Sequence, residues 1–209
     1  MSKQLFGTDG IRGIANQYPI TPEIALRIGR AVARILQSDG QGRHKVVIGK
    51  DTRLSGYMLE TALTSGLVSE GSRVLLTGPA PTPAVAHLTR SMGCDAGIML
   101  TASHNPYQDN GIKIFGSDGF KLNDALEHEI EKIILADDLP QPEGDLGKAI
   151  RIDDAMGRYI EFTKNAAGAN SLRGLKIVVD CQILLAFRLS YACLCDDKKK
   201  EQYFSNKSP

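Results

Sequence analysis

Three short apolar runs, at residues 45–49, 73–77 and 96–100, alternate with stretches of helical period, and this alternation constrains the chain most. In Val46-Val47-Ile48 the apolar side chains are consecutive, so both faces of the strand need cover. That pattern belongs to a parallel sheet sandwiched between helices rather than to a half-exposed antiparallel one. Thr21-Pro22-Glu23 has the form of a helix start, with proline in the first turn, and Ile24, Ile28, Ala31, Val32 and Ile35 follow as one apolar face. A second helical stretch runs from Met58 to Val68 and stops at Gly71, and a third begins at Pro81 and stops near Gly93. The order predicts an α/β chain: a three-layer α/β/α fold around a mixed, mostly parallel sheet.

Beyond the third run, Asn110-Gly111 before Ile112-Lys113-Ile114-Phe115, with Ser117-Asp118-Gly119 after it, predicts a hairpin or edge strand. Asn123 is placed to cap a helix reaching about Ala136, and residues 137–147 have the composition of a linker. A helix over 153–167 and a strand over 175–180 follow. A length of 209 residues, 42% of them apolar, allows one sizeable domain and part of another. The expected division is a domain over 1–150, the start of a second, similar domain over 151–181, and a tail over 182–209.

Charge and cysteine usage narrow the partners. With 25 basic and 24 acidic residues the net charge is +1, which argues against binding nucleic acid by bulk charge. No apolar run approaches the ~18 residues of a membrane span, and no basic start followed by an apolar stretch marks a secretory signal. The expectation is a cytoplasmic protein without membrane or nucleic-acid partners. Cys94, Cys181, Cys193 and Cys195 are unevenly spread and lack CxxC spacing, so reduced thiols are expected. His128-Glu129 lacks the second histidine of a zinc-protease helix.

Two segments carry the residue types of chemistry. Thr101-Ala102-Ser103-His104-Asn105-Pro106 follows a strand directly, at the carboxyl edge where parallel sheets bind ligands. Ser103 there either carries a phosphoryl group, whose charge of about −1.5 to −2 needs a cation such as Lys113, or merely caps a turn. His104 beside it is either catalytic or an ordinary surface histidine. Phe6-Gly7-Thr8-Asp9-Gly10-Ile11-Arg12-Gly13 is glycine-rich, so its amides can approach an anion while Arg12 clamps it, or it is a turn with an exposed arginine. Gly49-Lys50-Asp51-Thr52-Arg53 either binds an anion or holds an Asp51–Arg53 ion pair. Neither GxxxxGK[ST] nor a strand followed by GxGxxG is present, so nucleotide motifs are unsupported.

Taken together, residues 6–13, 101–106 and Asn110-Gly111-Ile112-Lys113 resemble the α-D-phosphohexomutase superfamily, over about Lys3 to Cys181. The N-terminal wording is most similar to its bacterial members that act on amino-sugar phosphates. The resemblance implies interconversion of glucosamine 6-phosphate and glucosamine 1-phosphate, a phosphosugar substrate, and Mg2+ as cofactor. Ser103 matches the phosphoserine, which gives its phosphoryl group to the sugar, forming a 1,6-bisphosphate, and recovers the other phosphate. Arg12 and Lys113 match positions that stabilise the transferring group, His104 lines the same loop, and Thr8 belongs to the phosphate-binding segment. Ser103 is also the expected point of metal contact, through its phosphate.

The chain departs from that pattern too. The Asp-Gly-Asp metal loop of the superfamily is absent, so the aspartate ligands are missing, and the chain alone is expected to be inactive. Where relatives continue Ala-Asn-Gly-Ala, Cys181 is followed by Gln182-Ile183-Leu184-Leu185, and residues 182–209 contain none of the 21 glycines. A shifted reading frame near 182 accounts for both. The alternatives are a non-catalytic phosphosugar-binding or interaction module, and a pseudogene product with residues 175–179 as an aggregation-prone edge. The sequence does not fix an oligomeric state.

Overall fold

The computed structural model describes residues 5–38, 44–136, 139–142 and 144–166. In chain order the elements are β1 (Ile11–Ile14), α1 (Pro22–Gln37), β2 (Lys45–Lys50), α2 (Ser55–Ser69), β3 (Arg73–Pro79), α3 (Thr82–Ser91), β4 (Ala96–Leu100), β5 (Asp109–Gly116), α4 (Asp124–Leu135), β6 (Lys148–Arg151) and α5 (Ala155–Ala166). They build one sheet in the order β1-β5-β4-β2-β3-β6. β4, β2, β3 and β6 are mutually parallel, while β5 runs antiparallel to both β4 and β1.

The consecutive apolar runs work as their pattern requires. Val46 and Ile48 of β2, with Ile98 and Leu100 of β4, face a core shared with Ile28, Leu63, Leu67, Ile130 and Ile134 of α1, α2 and α4. Val47, Leu75 and Met99 face the opposite way and meet Val85 and Leu88 of α3 and Tyr159 of α5. Two helical layers therefore cover the central strands, giving the expected α/β/α sandwich. Helix α1 starts as read: the Thr21 hydroxyl accepts the Ile24 amide at 3.3 Å, with Pro22 in the first turn. Asn123 likewise caps α4, accepting the Leu126 amide at 2.9 Å.

The differences from the sequence reading lie near the glycines. Asn110-Gly111 is not a turn but lies inside β5, where Gly111 pairs with Arg12 and the Gly111 carbonyl accepts the Thr101 amide. β5 is also not an edge, because Ile11–Ile14 covers it as β1. The hairpin turn falls at the other marked segment, Ser117-Asp118-Gly119: the Gly119 amide reaches the Gly116 carbonyl at 2.9 Å and Phe115 bridges Lys121 antiparallel. Pro140 and Gly147, within the stretch read as a linker, are tied to the helices, since the Arg34 guanidinium donates to the Pro140 carbonyl at 2.7 Å and the Gly147 amide to the Val68 carbonyl at 2.8 Å. Lys148–Arg151 then adds to β3 as a sixth strand, and α5 packs on α3 through His87, stacked on Phe162 at 3.9 Å between ring centroids.

Cys94 is buried, and burial, with Asp95 adding to it and Lys45 opposing it, pushes its thiol up to about 11, so it is an inert core residue. Cys181, Cys193 and Cys195, the strand expected at 175–180 and the tail at 182–209 lie outside the described residues, as does 167–181 of the expected second domain. Among the described residues no helix is long and apolar enough to cross a membrane.

Candidate functional site

Ser103 lies just past the end of β4, and its backbone is left-handed, with φ of 58°. For a residue with a Cβ that conformation costs about 1–2 kcal/mol, so the surrounding chain must hold it. The hold is a set of polar contacts. The Ser103 amide donates to the Thr101 hydroxyl at 3.0 Å, and the Thr101 hydroxyl donates to Oδ2 of Asp51 at 2.7 Å. Oδ2 of Asp51 also receives Nε of Arg53 at 2.9 Å, while Oδ1 accepts the Arg53 amide at 3.0 Å. The Asp51–Arg53 ion pair is thus present, and of the two readings of that segment it is the one this geometry realises.

Arg53 has a second function in the fold. Its Nη2 donates to the carbonyls of Ser103 at 3.0 Å and Asn105 at 2.8 Å, and its Nη1 donates to those of Pro106 and Asp109, the latter at 3.0 Å. Every N–H of the guanidinium is therefore occupied. The Asn105 side chain closes the loop onto Asp109 at 2.9 Å. The Ser103 side chain itself stays exposed, with Oγ 3.4 Å from Nδ1 of His104. The result is an exposed hydroxyl on a tightly pinned backbone.

A second cluster forms where β1 meets β5. Arg12 of β1 and Lys113 of β5 both contact Oδ2 of Asp9, the lysine at 2.7 Å. Partial burial works to raise the Asp9 carboxyl, yet the hydrogen bonds and charges of Lys113 and Arg12 outweigh it and hold the group below its ordinary range. Asp9 remains half exposed, and Nε of Arg12 is buried without a partner. One carboxylate thus faces two cations, leaving an excess of positive charge at the surface. Asp9 occupies the tip of a turn closed by the Gly7 amide and Gly10 carbonyl at 2.9 Å, with Thr8 exposed beside it.

Glycine is required on both sides of this cluster. Gly10 has φ of 87°, and a Cβ there would stand 2.4 Å from the Ile112 carbonyl oxygen. At Gly111 a Cβ would meet the Thr101 and Ile11 carbonyl oxygens at 2.7 and 2.9 Å. The glycines of both motifs therefore let β1, β5 and the end of β4 approach closely. From the other side of the turn, the buried carboxylate of Glu131 accepts the Leu5 and Phe6 amides, both at 3.2 Å. That anchor was not visible in the sequence, because nothing in the helical pattern of α4 marks one glutamate as a partner for a segment 125 residues away.

The predicted site residues thus fall into two neighbouring groups. Ser103 and His104 are together, and Arg12, Lys113 and the Thr8–Asp9 turn are together. β4 and β5 join them, since Leu100 pairs with Ile112 in register, but no direct hydrogen bond or ion pair among the described residues connects Ser103 with Arg12 or Lys113. Motif reading left Arg53 and Asp51 open between two roles and gave Thr101 none of its own.

Residues 3–141 match the family model described as phosphoglucomutase/phosphomannomutase, alpha/beta/alpha domain I. A phosphoglucosamine mutase of Paracoccus denitrificans is 57% identical over 189 residues, covering 90% of this chain and 42% of that protein. One from Syntrophotalea carbinolica is 56% identical over 198 residues, covering 93% and 43%. A crystal structure of a phosphoglucomutase/phosphomannomutase family protein from Burkholderia thailandensis superposes with a TM-score of 0.73 at 29% identity, covering 92% of this chain and 42% of that one. The chain spans less than half the length of the curated relatives it matches.

Proposed function

The chain belongs to the phosphoglucomutase/phosphomannomutase family, and from that premise we propose that it carries the phosphoserine half of a phosphoglucosamine mutase. The reaction is the interconversion of glucosamine 6-phosphate and glucosamine 1-phosphate. The observation that carries this reading is Ser103: an exposed hydroxyl on a left-handed, fully pinned backbone at the carboxyl edge of the sheet. The identity to relatives named phosphoglucosamine mutase supports the choice of sugar.

In this mechanism phosphoserine 103 gives its phosphoryl group to the free hydroxyl of the sugar monophosphate. The bond from Oγ to phosphorus breaks, a bond from the sugar oxygen forms, and the displaced proton passes to Oγ. The bound 1,6-bisphosphate turns over, and attack by Oγ on its other phosphate regenerates phosphoserine and releases the isomer. His104 holds the proton as it moves in this mechanism, a role its 3.4 Å separation from Oγ supports. Arg12 and Lys113 stabilise the charge on the transferring group, exchanging Asp9 for phosphate oxygens, and Thr8 adds a hydroxyl donor at the same rim.

The resemblance also implies Mg2+, with Ser103 contributing through its phosphate oxygens. Among the described residues no three His, Cys, Asp or Glu side chains come together to hold an ion, and a hard dication of this kind takes oxygen ligands, often carboxylates. These residues do not by themselves furnish an Mg2+ site, so no step above is routed through one. The proposed setting is the cytoplasm.

Full turnover is not expected of the chain by itself, so the test is the half-reaction at Ser103. The purified chain is mixed with glucosamine 1,6-bisphosphate and Mg2+, and released glucosamine monophosphate is measured against protein. Stoichiometric release from the wild type and none from Ser103→Ala supports the reading. Equal release from both proteins, or none from either, overturns it. Faster release from glucose or mannose 1,6-bisphosphate would move the substrate to another branch of the family.

A further inference from the structure

We propose that Arg53 is a positioning residue for phosphoryl transfer: its guanidinium latches the loop from Ser103 to Asp109 so that Oγ is held where an incoming phosphorus must be met. The inference rests on Ser103 being the phosphoryl carrier and adds what controls its placement. Four loop carbonyls, of Ser103, Asn105, Pro106 and Asp109, converge on one side chain. Asp51 takes the remaining N–H, and through Thr101 it also holds the Ser103 amide. Both backbone polar groups of Ser103 are thereby traced to one Asp51–Arg53 pair, so its left-handed conformation is set from the segment just after β2 rather than by its own loop.

Arg53 does not act by binding substrate. All its donors are spent on the loop and on Asp51, and its side chain is buried to about the same degree as that of Asp51, 11% exposed. Lysine cannot replace it, because an ammonium has three donors on a flexible stem and cannot span four carbonyls and a carboxylate in one plane. A charge role and a positioning role therefore predict different outcomes for Arg53→Lys. In-line attack of Oγ on phosphorus, with the sugar oxygen leaving and taking the proton, is sensitive to placement, and a shift of about 1 Å costs about 100-fold in rate.

The experiment follows phosphorylation of Ser103 by glucosamine 1,6-bisphosphate over time, at several donor concentrations, in wild type, Arg53→Lys and Arg53→Gln. The expected result is a saturating rate about 100-fold lower in both variants, with the half-saturating donor concentration changed less than about three-fold. Loading of Arg53→Lys at the wild-type rate overturns the inference while leaving Ser103 as carrier. So does a loss confined to half-saturation, which would make Arg53 a binding residue. Failure of the wild type to load overturns the carrier reading and this inference with it. Amide hydrogen exchange of the wild type tests the latch without any variant: the Ser103 amide should exchange far more slowly than an unstructured serine, and exchange at the unstructured rate overturns it.

Discussion

The two polar clusters at the carboxyl edge of the sheet are built on opposite principles. Around Ser103 every donor of Arg53 is used, Asp51 accepts from three groups, and the loop has nowhere to relax. Around Asp9 a single half-exposed carboxylate is shared by Arg12 and Lys113, and one nitrogen of Arg12 has no partner. The first arrangement fixes a backbone; the second leaves cationic donors that a stronger anion can claim. The proposed phosphoryl carrier would use both: a nucleophile whose position does not drift, and a charged cradle that can release one anion and accept another.

The first way to break this contrast is to remove the anion beneath the latch. Asp51→Asn leaves Arg53 as a nearly buried cation without its counter-charge, and stability should fall by about 3 kcal/mol, measured by urea denaturation. Thr101→Val keeps the shape but strands the Ser103 amide and removes one donor from Asp51. It should cost about 1–3 kcal/mol and accelerate exchange of the Ser103 amide. If both variants were as stable as the wild type, the pinned character of this region would be wrong.

The second cluster should respond in the opposite sense. Asp9→Asn frees Arg12 and Lys113, so stability should change by less than about 1 kcal/mol, while affinity for inorganic phosphate rises about five-fold in calorimetric titration. Because the Asp9 carboxyl is held low when folded, its stabilising contribution is present above the ordinary value of 3.8 and is lost as pH falls through the lower folded value. Asp9→Asn should remove that acid-side dependence.

The smallest effect lies away from both clusters. Burial, and then the charge of Arg90, lower the pKa of His87, so the folded chain binds fewer protons there than the unfolded one just below the ordinary value of 6.5. Stability should therefore decline slightly as pH falls through that window, and His87→Phe, which keeps a ring against Phe162, should flatten the slope in thermal melts.

What the sequence showed and hid follows from the same chemistry. The central strands were legible because consecutive apolar side chains demand cover on both faces, and helix starts were legible at Thr21 and Asn123 because capping is local. β1 was hidden: Ile11-Arg12-Gly13-Ile14 reads as a glycine-rich loop until β5 supplies a partner a hundred residues away. β6 was hidden likewise, four residues beside a glycine whose pairing depends on β3. Ser103, His104, Arg12, Lys113 and Thr8 were named from motifs, yet their division into two groups was not. The use of Arg53 was open between two readings, because the carbonyls it holds lie about fifty residues further along the chain.

The destination of a phosphoryl group tests the role of Ser103 without recourse to any variant. After exposure of the whole chain to glucosamine 1,6-bisphosphate, peptide mapping by tandem mass spectrometry should place a single phosphate on Ser103 and on no other hydroxyl. Phosphate on a different residue, or a chain that remains unmodified while the donor is consumed, would contradict it.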